Sequence, residues 1–245
     1  MQKRDNNSSS SNWQQNLDKE KRNNLIQKLV IWGGIGLITV AGVALLVKFA
    51  GGGSSTTEQT VSNLPKVSSS DIIVGEKSAK ITLIEYADFQ CPACASYNPV
   101  VNQVLSNYSG KVNLVYRFFP LTSIHKNAII SARAGYAAWK MGKFSEMKDE
   151  LFSNQTVWQN LSETDAKKSF VEYAKSIKLD EKEFTEIMDS DEAKGVVSKA
   201  EGSALALGLQ GTPTFFLDNK QVQPSGYDDF KKLFDEKLNG GAPLK

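Results

Sequence analysis

Hydrophobic and polar positions change rhythm several times along the chain, and each rhythm predicts an element. Residues 1–28 are rich in Asn, Ser, Gln and charge. Such a stretch cannot bury enough apolar surface to offset its ordering entropy, so it reads as a disordered tail in which Trp13 is incidental. Leu29 to Val47 is uncharged and mostly apolar. At ~1.5 Å per residue it spans ~28 Å as a helix, close to a bilayer's hydrocarbon core. No A-x-A pattern follows it and the run is longer than a signal peptide's, so the expectation is an uncleaved transmembrane anchor. Gly51-Gly52-Gly53-Ser54-Ser55 and Ser68-Ser69-Ser70 bound a Gly/Ser-rich linker over residues 48–70. The folded part is expected over 71–245.

Within that part, Lys80 to Phe89 is β-rich, with Ile81, Leu83, Ile84 and Tyr86 reading as a central strand buried on both faces. A helix is predicted from Cys91 to Tyr108, and a second strand from Lys111 to Phe119. Three helical stripes follow: Ala128, Ile129, Ala132, Tyr136 and Trp139; then Ala166, Phe170, Tyr173, Ala174 and Ile177; then Val196, Val197, Ala200, Ala204 and Leu207. Ser162 with Asp165 three residues on looks like the start of the second. Thr214 to Asp218 is a short strand, 218–220 a turn, 221–223 a returning strand, and Tyr227 to Leu238 an amphipathic final helix. The order is strand, helix, strand, helical block, strand, strand, helix, which is an α/β fold.

Composition adds little to this. The chain is 40% hydrophobic and 23% charged, with a formal net charge of +2. That gives no clustered cations of the kind nucleic-acid binding needs. Cations flanking the apolar run are more revealing: Lys19, Lys21, Arg22 and Lys28 precede it, against Lys48 and Lys66 after it. The positive-inside rule places the tail in the cytoplasm and the C-terminal bulk outside. The run holds no G-x-x-x-G, so helix dimerisation has no support.

The cysteines carry the chemistry. There are 2, Cys91 and Cys94, in one C-x-x-C where a strand ends and a helix begins. The first turn of a helix offers unpaired N–H groups and the positive end of the dipole, and both favour thiolate over thiol. Cys94 lies one turn deeper on the same face. Pro92 loses no hydrogen bond at an early helical position. A zinc site would want four ligands, and His125 is the 1 histidine available. An inert disulfide closing so short a loop would stabilise weakly. Redox activity is the reading preferred over both. Glu85 places a carboxylate in an otherwise apolar strand, which is costly unless it is functional or paired. His125 reads as a helix-start or surface residue. No phosphate-binding loop, dinucleotide fingerprint or H-E-x-x-H is present, and no cofactor is expected.

The stretch Glu85-Tyr86-Ala87-Asp88-Phe89-Gln90-Cys91-Pro92-Ala93-Cys94 resembles the active-site strand and helix start of membrane-anchored DsbA-family oxidoreductases. Gly211-Thr212-Pro213-Thr214 resembles that family's cis-proline loop, and about 123–208 its helical insertion. The resemblance covers roughly 71–240. It implies a thioredoxin fold with a helical insertion. Residue by residue it implies Cys91 as nucleophile, Cys94 as resolving cysteine, Pro213 as the cis-proline, and Thr212 as the residue whose backbone pairs with substrate. Pro92 and Ala93 would face substrate, and Glu85 would be the buried acid that handles the inner cysteine's proton. Ala93 departs from the histidine of several strongly oxidising relatives. The expected reaction is disulfide exchange with cysteine-containing exported proteins, in the oxidising direction because disulfides persist outside the cytoplasm. The family implies re-oxidation by a quinone-linked membrane partner. A reductase or isomerase, and a non-enzymatic tethered binding module, are the alternatives.

Overall fold

The structure is a computed structural model and describes residues 63–240. The expected tail, the apolar run 29–47 and the linker to residue 62 lie outside the described residues. Among the described residues no helix is long and apolar enough to cross a membrane.

Five strands form one sheet: β1 (Ile72–Val74), β2 (Ile81–Ala87), β3 (Val112–Phe118), β4 (Thr214–Leu217) and β5 (Lys220–Val222), in the order β1-β3-β2-β4-β5. β2 is central. It pairs parallel with β3, with Glu85 opposite Tyr116, and antiparallel with β4, with Glu85 opposite Phe215. A parallel pair needs a crossover, and helix α1 (Pro92–Asn107) supplies it. β4 and β5 form a two-residue hairpin in which Asp218 and Asn219 both have positive φ (52° and 63°). These residue types tolerate that region, and its twist matches the flanking strands.

The helical block between β3 and β4 comprises α2 (Ala128–Lys140), α3 (Phe144–Ser153), α4 (Gln155–Trp158), α5 (Glu163–Ser176), α6 (Glu181–Asp189) and α7 (Asp191–Ala206). Side-chain caps start three of them. Ser162 accepts from the Asp165 N–H, Asp180 from the Glu183 N–H, and Ser190 from the Ala193 N–H. Helix α8 (Tyr227–Leu238) closes the fold.

Alternation along β2 divides the interior. Ile81, Leu83 and Ala87 face a large core shared with Cys94, Val101, Tyr116, Phe118, Trp158 and Phe230. Ile84 and Tyr86 face a smaller one with Leu64, Val115, Phe119, Ala204 and Phe216. Leu64 is buried there, and Arg117 donates to the Pro65 carbonyl at 3.0 Å. Packing therefore begins about seven residues before the expected boundary at 71. β1, α3 and α6 also escaped the pattern: β1 has only 3 residues, and α6 is mostly polar with Phe184 and Met188 as its buried pair. The returning strand begins at Lys220 rather than 221.

Candidate active site

Cys91 is the N-cap of α1 and Pro92 its first helical residue, so the sulfur sits at the helix mouth. The Cys91 N–H donates to the Asp88 carbonyl at 3.0 Å, which fixes the turn from β2 into α1. Both cysteines are free thiols. Cys94, one turn inside, is completely buried, whereas Cys91 keeps 7% of its surface. The pair is therefore graded from an accessible sulfur to a shielded one.

The Thr212–Pro213 peptide is cis, and its loop faces the helix mouth. The Cys91 Sγ donates to the Thr212 carbonyl at 3.3 Å. Gly211, Thr212, Pro213, Tyr97, Gln221 and Gln223 help line a groove of about 750 Å³ beside that contact. That size lies within the range of ligand clefts.

Electrostatics separate the two sulfurs. The Cys91 thiol is held down to about 5, first by a hydrogen bond from the Cys94 thiol and then by the Thr212 side chain and the backbone N–H groups of Cys94 and Ala93, against partial burial. Burial, with help from Cys91 and Glu85, pushes the Cys94 thiol up. A thiolate attacks disulfides and a thiol does not, so of the two sulfurs Cys91 is the one whose surroundings suit attack.

Beneath the pair lies Glu85, buried on β2. Burial pushes its carboxyl up to about 7, and the nearby Lys148 ammonium restrains the rise. Lys148, on α3, is itself buried. Its Nζ donates to Oδ1 of Asn98, to Oδ1 of Asn102 at 2.8 Å, and to Oδ1 of Asp149 at 3.2 Å. Asn98 and Asn102 lie on α1, so this cation ties the inserted helices to the helix that carries both cysteines.

The structure thus brings together Cys91, Cys94, Thr212, Pro213 and Glu85. Pro92 and Ala93 are exposed beside them. Sequence reasoning missed the residues that hold this arrangement. The Asp88 carboxylate, fully buried, accepts from the Gln90 N–H (2.8 Å) and the Leu121 N–H (2.9 Å), and contacts His125 Nδ1 (2.7 Å). His125 is therefore neither a helix start nor a free surface group; it clasps the loop preceding Cys91. Gln155 Nε2 donates to the carbonyls of Phe89 (2.7 Å) and Cys91 (3.0 Å). Gln90 Oε1 accepts from the Asn127 N–H at 2.7 Å. Apart from the adjacency of Asp88 and Gln90 to Cys91, nothing in the sequence signalled these partners.

Known proteins give the same picture. The crystal structure of Wolbachia pipientis alpha-DsbA1 has a TM-score of 0.64 and 19% identity, covering 75% of this chain and 98% of that one. Oxidised BdbD from Bacillus subtilis has a TM-score of 0.61 and 22% identity, covering 69% and 94%. Identities this low establish the shared fold. Among curated proteins, a Na(+)/H(+) antiporter NhaA 3 of Salinispora tropica is 34% identical over 151 residues. The match takes in 62% of this chain but spans only 22% of that relative's length. A family profile described as thioredoxin matches residues 68–236, most of the described region. With this sheet, this helical block and a dithiol at the mouth of α1, the chain belongs to the thioredoxin family and has the fold of its DsbA-type members.

Proposed function

We propose that the chain is a membrane-tethered protein thiol–disulfide oxidoreductase that oxidises cysteine pairs in exported proteins. The carrying observation is the contact between the Cys91 sulfur and the Thr212 carbonyl at 3.3 Å, with Cys94 buried directly behind. In the oxidised form, a substrate thiolate attacks the Cys91 sulfur and the Cys91–Cys94 bond breaks, leaving a mixed disulfide. The substrate's second thiolate then displaces Cys91, which departs as a stabilised thiolate. Low basicity makes Cys91 a good leaving group, which favours oxidation of the substrate over its reduction. Pro92, Ala93 and Thr212 border the incoming peptide, and Pro213 shapes the loop. The uncharged run 29–47 supports the tether and the cation bias around it an extracytoplasmic domain. Re-oxidation falls to a quinone-linked membrane partner.

The test is a Cys94→Ser variant, which can form the mixed disulfide through Cys91 but cannot resolve it. After acid quench and alkylation, non-reducing gels should show reductant-sensitive adducts with exported, cysteine-containing proteins. They should be absent from Cys91→Ser/Cys94→Ser. A single variant with no more adducts than the double variant would refute exchange through Cys91.

A further inference from the structure

Tyr116 is buried (2% exposed), and its hydroxyl has no hydrogen-bond partner among the described residues. Buried tyrosine hydroxyls usually find one. The residue stands on β3 directly opposite Glu85 in the parallel register. Paired residues on adjacent strands project from the same face about 5 Å apart, and that face is the one packed against Cys94. The ring is held from two sides. Phe89 stacks on it at 5.4 Å between centroids, and Phe144 meets it edge-on at 5.0 Å. The hydroxyl is thus fixed in the packed core that Tyr116 shares with Cys94. The ionisable groups around it are Glu85 and Asp88 from β2 and its end, and Cys91 and Cys94 from α1; Lys148 of α3 acts on the same Glu85. Burial and the Glu85 charge hold its phenol far above its ordinary range, so it stays a donor at any working pH.

We infer that Tyr116 is a positioning residue for disulfide exchange: its hydroxyl is the donor reserved for the Glu85 carboxylate when Cys94 changes protonation. The inference rests on the exchange reading above. When a substrate thiolate attacks the Cys91 sulfur, the Cys91–Cys94 bond breaks and Cys94 leaves with the electron pair. It takes the proton of Glu85, and a carboxylate appears in the buried core beneath the cysteines, across from Tyr116. In reverse, Cys94 returns that proton to Glu85 and expels the substrate as a thiolate. Both directions pass through a buried carboxylate, which is costly without a donor. Tyr116 supplies one without leaving the sheet.

The experiment mixes the reduced full-length protein with one equivalent of Ellman's reagent and follows its two releases of thionitrobenzoate across pH. The first reports attack by Cys91; the second reports expulsion of the mixed disulfide by Cys94. Carbon-13 NMR of the Glu85 carboxyl is titrated in parallel. Tyr116→Phe should leave the first phase unchanged, slow the second roughly tenfold near neutral pH, and move the Glu85 titration upward by about one pH unit, as loss of a hydrogen bond to a charged group requires. In a Glu85→Gln background, Tyr116→Phe should slow nothing further. Superimposable second phases and Glu85 titrations in wild type and Tyr116→Phe would overturn the inference. So would equal slowing in the Glu85→Gln background, which would make the effect merely structural. If wild type shows neither release, the exchange reading fails instead, and the carboxyl titration still decides whether Tyr116 supports Glu85.

Discussion

At the residue scale, Glu85 and Cys91 pull stability in opposite directions with pH. Glu85 titrates at about 7 in the fold against 4.5 for an unperturbed carboxyl. A raised value means that the fold favours the neutral acid. Its contribution is intact below about 4.5 and is lost as pH climbs through 7, up to roughly 3 kcal/mol at about 1.4 kcal/mol per unit. Glu85→Gln should therefore raise the melting temperature at pH 8 and leave it nearly unchanged at pH 4, as read by thermal melts in both buffers. Equal melting at pH 8 would mean that the carboxyl is not penalised by burial. Cys91 behaves the other way. Its thiol is depressed to about 5 from 9.0, so it stabilises the reduced form fully above pH 9 and ceases to do so below pH 5. Reduction then takes up two protons below pH 5 and one just above it. Against glutathione, the reduction potential should fall by about 59 mV per pH unit on the acid side and by about 30 mV above. A uniform slope from pH 4 to 6 would rule out the stabilised thiolate.

At the element scale, the helical block and the thioredoxin sheet meet at Phe89. Gly135 on α2 approaches it so closely that a Cβ there would lie 2.6 Å from Phe89 Cε2 and 3.0 Å from Cζ. That ring is also packed against Tyr116, Phe118, Phe144 and Phe152, so it has little room to turn. Gly135→Ala should cost about 1–3 kcal/mol in chemical denaturation. Because Phe89 lies two residues before Cys91, the same change should also disturb the Cys91 titration; a shift in stability alone would show that the loop is insulated from the insertion. Gln155 offers a second test of the same junction. It bonds the Phe89 and Cys91 carbonyls from α4; in Gln155→Ala the Cys91 carbonyl keeps the Ala95 N–H, and the Phe89 carbonyl loses its donor. A loss of roughly 1–3 kcal/mol is expected. The helical block therefore acts as a buttress for the dithiol loop as well as a cover for the sheet.

At the scale of the whole molecule, the described residues form an α/β domain of the thioredoxin fold, and the proposed placement of that domain rests on the sequence before it. On the proposed reading, the cation bias flanking residues 29–47 predicts a dithiol outside the cytoplasm. Protease added to intact cells stripped of their outer layers should release a fragment containing residues 63–240. Release only after the membrane is opened would reverse the orientation.

Much of the domain was legible because its signals are local. The strand of β2, the capped start of α5, the hairpin at Asp218-Asn219 and the dithiol at a strand-to-helix junction each depend on a few adjacent residues, and the structure holds them within a residue or two. Short-range chemistry thus singled out the two cysteines as candidates, and the family resemblance added the proline loop. The tertiary structure alone decided what surrounds them. Lys148, Gln155, Asn127 and His125 lie tens of residues from Cys91 in the chain, and although α3 carries a stripe of Phe144, Met147, Leu151 and Phe152, nothing in that stripe says that Lys148 shares its buried face. Whether Glu85 is a strained acid or an ordinary salt-bridged one likewise depends on burial between β3 and β4. Solvent exclusion is a property of packing from every side, and no window of sequence contains all those sides.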